Sequence, residues 1–344
     1  MIPGLRVIVP GLHSTIQDLG RSGYQDIGVP PAGALDRIGL TLANALVGNA
    51  ANAPVLEMLA QGPVLEVMAT SLRVALVGDD GGSMIEGDHA RNVPAGQSAR
   101  LRRGQRIRIG TLGKTFCAYL AIAGGFDVPP CLGSAATYTR NGLGGFQGRV
   151  LRVGDVLPVH REDVEPSQEL ALVEPYEPGF EQPIRVVLGP QQEYFTADAV
   201  NTFLSAVYVV SAQADRMGFR LDGPKLAHAK GYDIVSDGIV PGAVQVPGSG
   251  QPIVMLADAQ TTGGYAKIAT VISADVPVLA RRRPGAAVRF VAVTQAEGEN
   301  LRREQEPKLR DAIARLQPVP EIPVVDTVAL ETSNLIDGVV SAFD

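Results

Sequence analysis

Ala118 to Phe126 (AYLAIAGGF) and Val254 to Tyr265 (VMLADAQTTGGY) are the two stretches whose comparison decides the fold. Each opens on a short apolar run and closes on a Gly-Gly pair and an aromatic residue, directly in the first and after the mostly polar stretch Asp258 to Thr262 in the second, the pattern of a strand running into a turn. Gly62-Pro63 and Gly223-Pro224, each ahead of an apolar segment, repeat a second feature in the same order. Together they form a diffuse internal repeat and point to two related, β-barrel-like halves.

Working outward, most of the chain consists of similar short segments: Leu72–Val77, Arg106–Ile109, Ile184–Leu188, Val207–Val210 and Val288–Val293. Gly, Pro, Asp and Asn separate them, so the core is expected to be mainly β, a β-barrel with a few helices. Asp36 is a good N-cap for a helix over about 37–47, with Ile38, Leu42, Ala45 and Leu46 at helical spacing and Gly48-Asn49 as its stop. Thr196 is placed to cap a second helix carrying Val200, Phe203 and Leu204. Residues 295–316 read as a charged helix interrupted at Pro307. The acidic, Pro-containing stretch 161–182 has no period and is the natural linker. It divides the chain into an N-terminal domain over 1–165, a C-terminal domain over 183–318 and a tail over 319–344.

Composition excludes several classes. A net charge of −6 gives no general attraction for nucleic acid or an anionic membrane. Cys117 and Cys131 are too few for a secreted disulfide framework. No apolar stretch approaches the roughly 20 residues of a membrane span, and Met1-Ile2-Pro3-Gly4 does not open a signal peptide. A cytoplasmic protein is expected.

Several chemical motifs are also discounted. Gly110 to Thr115 (GTLGKT) imitates a phosphate loop, but Arg108 stands where the leading glycine is required. His13, His89, His160 and His228 lack metal-ligand spacing, so no metal site is expected. Cys117 reads as a buried strand residue, and Arg281-Arg282-Arg283 reads first as a loop charge cluster.

The polar density lies elsewhere. Thr15 to Arg37 (TIQDLGRSGYQDIGVPPAGALDR) crowds Gln17, Asp18, Arg21, Tyr24, Asp36 and Arg37 onto a Gly/Pro-rich loop, where packing does not require them. Asp258 to Lys267 (DAQTTGGYAK) follows an apolar strand. Its Gly263-Gly264 pair could present backbone N–H groups as an anion nest, with Gln260, Thr261, Thr262 and Tyr265 beside it. Asp258 is a candidate base and Lys267 a candidate charge stabiliser, both expected on a surface-like turn.

These stretches, with Leu42–Asn49 (LANALVGN), Gly142–Arg149 (GLGGFQGR), Leu151–Asp155 (LRVGD), Ala214–Pro224 (ADRMGFRLDGP), Pro241–Pro247 (PGAVQVP) and Gln251–Lys267, resemble the family of the 5-oxoprolinase C subunit. That family is also called Kip antagonist or allophanate hydrolase subunit 2. The resemblance spans about residues 5–300, and its motifs occur in the family's order. Arg281-Arg282-Arg283 is more basic than the family pattern, and the tail after about 318 lies beyond the shared core. Members resemble the carboxyltransferase region of biotin-dependent urea carboxylase.

The resemblance implies a pair of cyclophilin-like β-barrels and ATP-dependent opening of 5-oxoproline to glutamate. It implies two partners, a homologous 5-oxoprolinase B subunit, which is Kip-inhibitor-like, and the corresponding A subunit, with ATP bound together with the partner. It adds Arg216, Gln245 and Asn141 to the site candidates, with Arg216 as carboxylate binder. The chain has no Met-Lys-Met motif, so biotin is not attached to it. Two other readings are carboxyl transfer from carboxybiotin to a urea-like amide, and a non-enzymatic module that antagonises a kinase inhibitor.

Overall fold

The computed structural model describes residues 3–78, 82–87, 90–177 and 179–320. His89 and most of the expected tail, 321–344, lie outside them. The protein is mainly β. A six-stranded sheet has the order Val156–Pro158, Gly4–Val9, Val64–Val67, Arg106–Arg108, Ser83–Glu86, Arg91–Val93. A seven-stranded sheet runs His13–Gln17, Val55–Leu59, Cys117–Ile122, Ser71–Val77, Gln97–Arg102, Leu170–Ala171, Gln317–Pro318.

Residues from 184 onward build the third sheet, with eight strands in the order Ala287–Val288, Tyr208–Val210, Gly218–Asp222, Ile253–Met255, Ala243–Gln245, Lys267–Val271, Ile184–Leu188, Phe290–Ala292. Its first and last strands are separated only by Arg289, so the sheet must wrap back on itself into a nearly closed barrel. A two-stranded ribbon, Asp233–Gly238 with Thr262–Tyr265, projects from it.

Strand period fixes what faces the junction of the two halves. Along Cys117–Ile122, Ala118, Leu120 and Ile122 enter a core made only of N-terminal residues. Cys117, Tyr119 and Ala121 point the other way, into a core shared with Phe219, Val254 and Leu256 from the C-terminal half. On the adjacent strand Val55 and Leu59 share that face, which places Glu57 there as well. Phe116 meets Phe219 edge-on at 5.4 Å, and its N–H donates to the Arg281 carbonyl at 2.8 Å.

Of the described helices, α1 (Arg37–Leu46) is capped by Asp36, whose side chain accepts from the N–H groups of Ile38 and Gly39. The second, α2 (Ala197–Ser205), is capped by Thr196. A short helix, α3 (Val276–Ala280), has no counterpart in the sequence reading. The fourth, α4 (Gln295–Ala314), runs through Pro307 where an interruption is expected. An internal proline costs about 3 kcal/mol. Offsetting it, Leu309, Ala312 and Ile313 pack on the shared core, and Arg302–Glu306 and Arg303–Glu299 pair across single turns.

The stretch 161–182 is packed against both halves. Leu170–Ala171 extends the seven-stranded sheet, Glu169 accepts from Arg73 and Ser98, and the Tyr176 hydroxyl donates to Asp36. Gln317–Pro318 pairs with Leu170–Ala171.

Candidate functional site

The junction holds two buried ion clusters joined by one tyrosine. Arg216, on the turn before Gly218–Asp222, donates from Nε and Nη2 to the two oxygens of Asp258, each at 2.9 Å. The same guanidinium donates to Glu57 and, at 2.7 Å, to the Gly33 carbonyl. Glu57 also accepts from the Leu35 N–H at 2.8 Å and the Tyr119 hydroxyl at 2.9 Å. That hydroxyl accepts from the Asp36 N–H at 2.7 Å. Asp36 faces Arg281 at 3.3 Å, and the Arg281 guanidinium stacks 4.6 Å above the Tyr176 ring. Arg281 also donates to the Gly78 carbonyl.

All five charged groups are buried. Burial pushes the Glu57 and Asp36 carboxyls up from their ordinary range, opposed by the facing Arg216 and Arg281. Burial alone would pull Arg216 down, but Asp258 and Glu57 outweigh it and hold it charged. Burial, and then Arg216, push the His13 imidazole down, and its Nε2 is buried without a hydrogen-bond partner among the described residues. The Cys117 thiol is pushed up by burial, which fits the structural role read from the sequence.

Beside these clusters lies a cleft of about 440 Å³ between the halves. Ala32, Leu35 and Arg37 form one side, Leu256 and Ala257 the other, and Leu309 of α4 closes an end. The two walls are tied by the Ala32 N–H donating to the Ala257 carbonyl at 3.1 Å. Backbone geometry shapes the near wall: Ala32 has φ +50° and Gly33 φ +82°. A Cβ on Gly33 would stand 2.6 Å from the Gly20 nitrogen, so the loop closes on itself only with glycine there. A second cavity, about 690 Å³, is lined by Lys114, Thr115, Tyr176 and Arg281.

The structure separates the candidate residues into three places. Arg216, Asp258 and Asp36 meet at the junction. Gln245, Gln260, Thr261, Thr262, Gly263, Gly264, Tyr265 and Lys267 belong to the ribbon and the strands beneath it. There Gln245 donates to the Tyr265 carbonyl at 3.4 Å and accepts from Gln260 at 3.5 Å. Gln17 lies in a third region, donating to Thr15 and to the Thr137 carbonyl, and Asn141 is exposed on a nearby loop.

Four placements differ from expectation. Asp258 and Lys267 are buried, not set on a surface turn. Lys267 donates to Asp237 at 2.6 Å, and no described hydrogen bond joins it to Asp258. Gly263 and Gly264 lie in an extended strand, so their N–H groups do not converge as a nest. Arg216 is wholly engaged by Glu57, Asp258 and Gly33, so it has no free edge for a substrate carboxylate. Arg281 and Arg282 are buried, because the chain leaves α3 directly into the junction.

Glu57 and Tyr119 are not singled out by the sequence. Their one signal is a carboxylate (Val55–Leu59, VLEML) and a phenol (Cys117–Ile122) inside otherwise apolar strands. Gly110–Thr115 leads into the strand Cys117–Ile122, not a helix, which removes the anion-binding helix terminus that a phosphate loop needs.

A mainly β protein with a nearly closed barrel and a buried, charge-lined junction between its halves matches one family model. Residues 27–292 fit the carboxyltransferase domain, subdomain A and B. The chain belongs to that family. Within it, the chain is 38% identical to the C subunit of 5-oxoprolinase from Escherichia coli K12 over 305 residues, covering 88% of this chain and 95% of that protein. It is 35% identical to the corresponding C subunit from Haemophilus influenzae over 309 residues, covering 88% and 96%. The crystal structure of the Kluyveromyces lactis urea amidolyase superposes with a TM-score of 0.80 at 28% identity over 91% of this chain, which spans only 20% of that much longer protein.

Proposed function

We propose that this chain is the C subunit of a 5-oxoprolinase, and that it holds the lactam in the junction cleft while its A and B partners bring ATP. The similarity that runs through nearly the full length of the bacterial C subunits carries this reading. A lactam is a poor electrophile. Transfer of the γ-phosphoryl group to its oxygen makes a good leaving group. Water then adds to that carbon and the ring C–N bond breaks as the nitrogen takes a proton, which leaves an acyl phosphate. A second water displaces the phosphate, so that one ATP and two waters give glutamate, ADP and phosphate.

This chain's contribution is placement. The Glu57–Arg216–Asp258 cluster fixes Leu35 through its N–H and Gly33 through its carbonyl, and Asp258 directly follows Leu256-Ala257, so one buried network sets both cleft walls. Arg216 acts as the internal counterion that holds the walls in register. Among the described residues no helix is long and apolar enough to cross a membrane. We place the complex in the cytoplasm.

The test is to co-express the chain with its A and B partners and follow ADP release over 5-oxoproline, urea and allophanate. Release that depends on 5-oxoproline, without biotin, is expected. Carboxyl transfer to a urea-type amide is the second reading, favoured by the fit to urea amidolyase. Biotin-dependent turnover of urea would select it, and a stable complex inactive on every substrate would favour a binding module.

A further inference from the structure

The cleft has a feature that the similarity to C subunits does not assign. Arg37, the first residue of α1, lines it and is exposed, and no ion pair or side-chain hydrogen bond engages it among the described residues. The other charges at the rim are matched: Arg302 donates to Glu306 at 2.6 Å and approaches Gln305 at 3.5 Å. Arg216, behind the wall, is consumed by two carboxylates. The walls themselves are apolar, from Ala32, Leu35, Leu256 and Ala257. The cleft therefore presents one uncompensated guanidinium over an apolar slot of about 440 Å³, within the usual range of small-molecule sites.

We infer that Arg37 is the specificity residue of this cleft. It pairs with the carboxylate of a small cyclic amide whose ring lies against Leu35 and Leu256. The inference rests on the reading that the cleft holds substrate, and it adds the residue that selects a carboxylate-bearing lactam over a neutral amide. A planar guanidinium suits this role because it can donate two parallel hydrogen bonds to one carboxylate. A ring without a carboxylate would gain the apolar contacts alone.

The probes are 5-oxoproline and 2-pyrrolidinone, the same ring without the carboxylate, tested on the assembled complex. Arg37→Gln should raise KM for 5-oxoproline at least about tenfold, the loss expected when a charged hydrogen-bonded contact is removed, with kcat changed less than about threefold. Arg37→Lys should recover part of the loss. Calorimetric binding of 2-pyrrolidinone should be the same in wild type and Arg37→Gln. An Arg37→Gln enzyme with KM within about twofold of wild type overturns the assignment, as does equal loss of both probes, which would mean general damage to the cleft. If wild type binds 5-oxoproline in the Arg37-dependent way but does not turn it over, the activity reading fails and the assignment stands. If it binds neither probe, the assignment fails too.

Discussion

At the residue scale, the junction charges act first as structure. Removing one partner of a buried ion cluster costs about 3–5 kcal/mol, because the remaining charge is left unpaired. Arg216→Met strands both Glu57 and Asp258, whereas Asp258→Asn leaves Glu57 with its guanidinium. Chemical denaturation of the two variants should therefore rank Arg216→Met as the more destabilised, by at least about 1 kcal/mol. The reverse order would mean that the cluster is not organised around Arg216. Asp155 supplies a pH-dependent contrast. Both of its oxygens accept from Arg149, at 2.7 and 2.8 Å, and those hydrogen bonds hold its carboxyl below the ordinary 3.8. The unfolded chain then takes up the proton first as pH falls. The contribution is complete above pH 3.8 and fades as pH drops below it. Asp155→Asn should cost about 1 kcal/mol at pH 7, and the gap to wild type should narrow on acidification below that point. A gap that stays constant between pH 7 and pH 3 would remove Asp155 from that role.

At the element scale, local signals are legible where one residue decides an end. Asp36 and Thr196 are visible as helix caps because a short acceptor side chain before helical spacing has one obvious use. The continuity of α4 through Pro307 is not legible, because the apolar contacts that hold its C-terminal half come from distant strands. Gly263-Gly264 reads as a turn for the same reason: only its partner strand, Asp233–Gly238, makes it extended. The start of α4 is a closed capping box between Thr294 and Glu297. Thr294→Ala should lower stability by about 1 kcal/mol, read by thermal melting, and Thr294→Ser should restore most of it. A melting temperature unchanged by Thr294→Ala would mean that packing alone fixes the start of this helix.

At the scale of the whole molecule, the β-rich core is readable from strand-length segments, but the way the halves share that core is not. Period-2 alternation shows that Tyr119 and Glu57 share a face with their neighbours, and only the folded chain shows that this face meets Phe219 and Leu256. The candidate site is legible to the same extent: Asp36 and Asp258 stand out in the sequence and the family resemblance adds Arg216, while Glu57, Tyr119 and Arg281 enter through contacts more than 60 residues apart in the chain. We expect the regions 1–165 and 183–318 to behave as two domains in architecture but one unit in stability. The Phe116–Phe219 contact, the Ala32–Ala257 hydrogen bond and both ion clusters would all be lost on separation. Denaturant unfolding should give coincident transitions by fluorescence and circular dichroism. Two resolved transitions would show that the junction contributes little.

The most direct measurement is the fate of isotopically labelled 5-oxoproline given to the A and B partners with ATP, in the presence and absence of this chain. Labelled glutamate that appears with ADP in equal amounts, and only when the chain is present, is the predicted result. Glutamate formed at the same rate without the chain, or none formed with the complete complex, would contradict it.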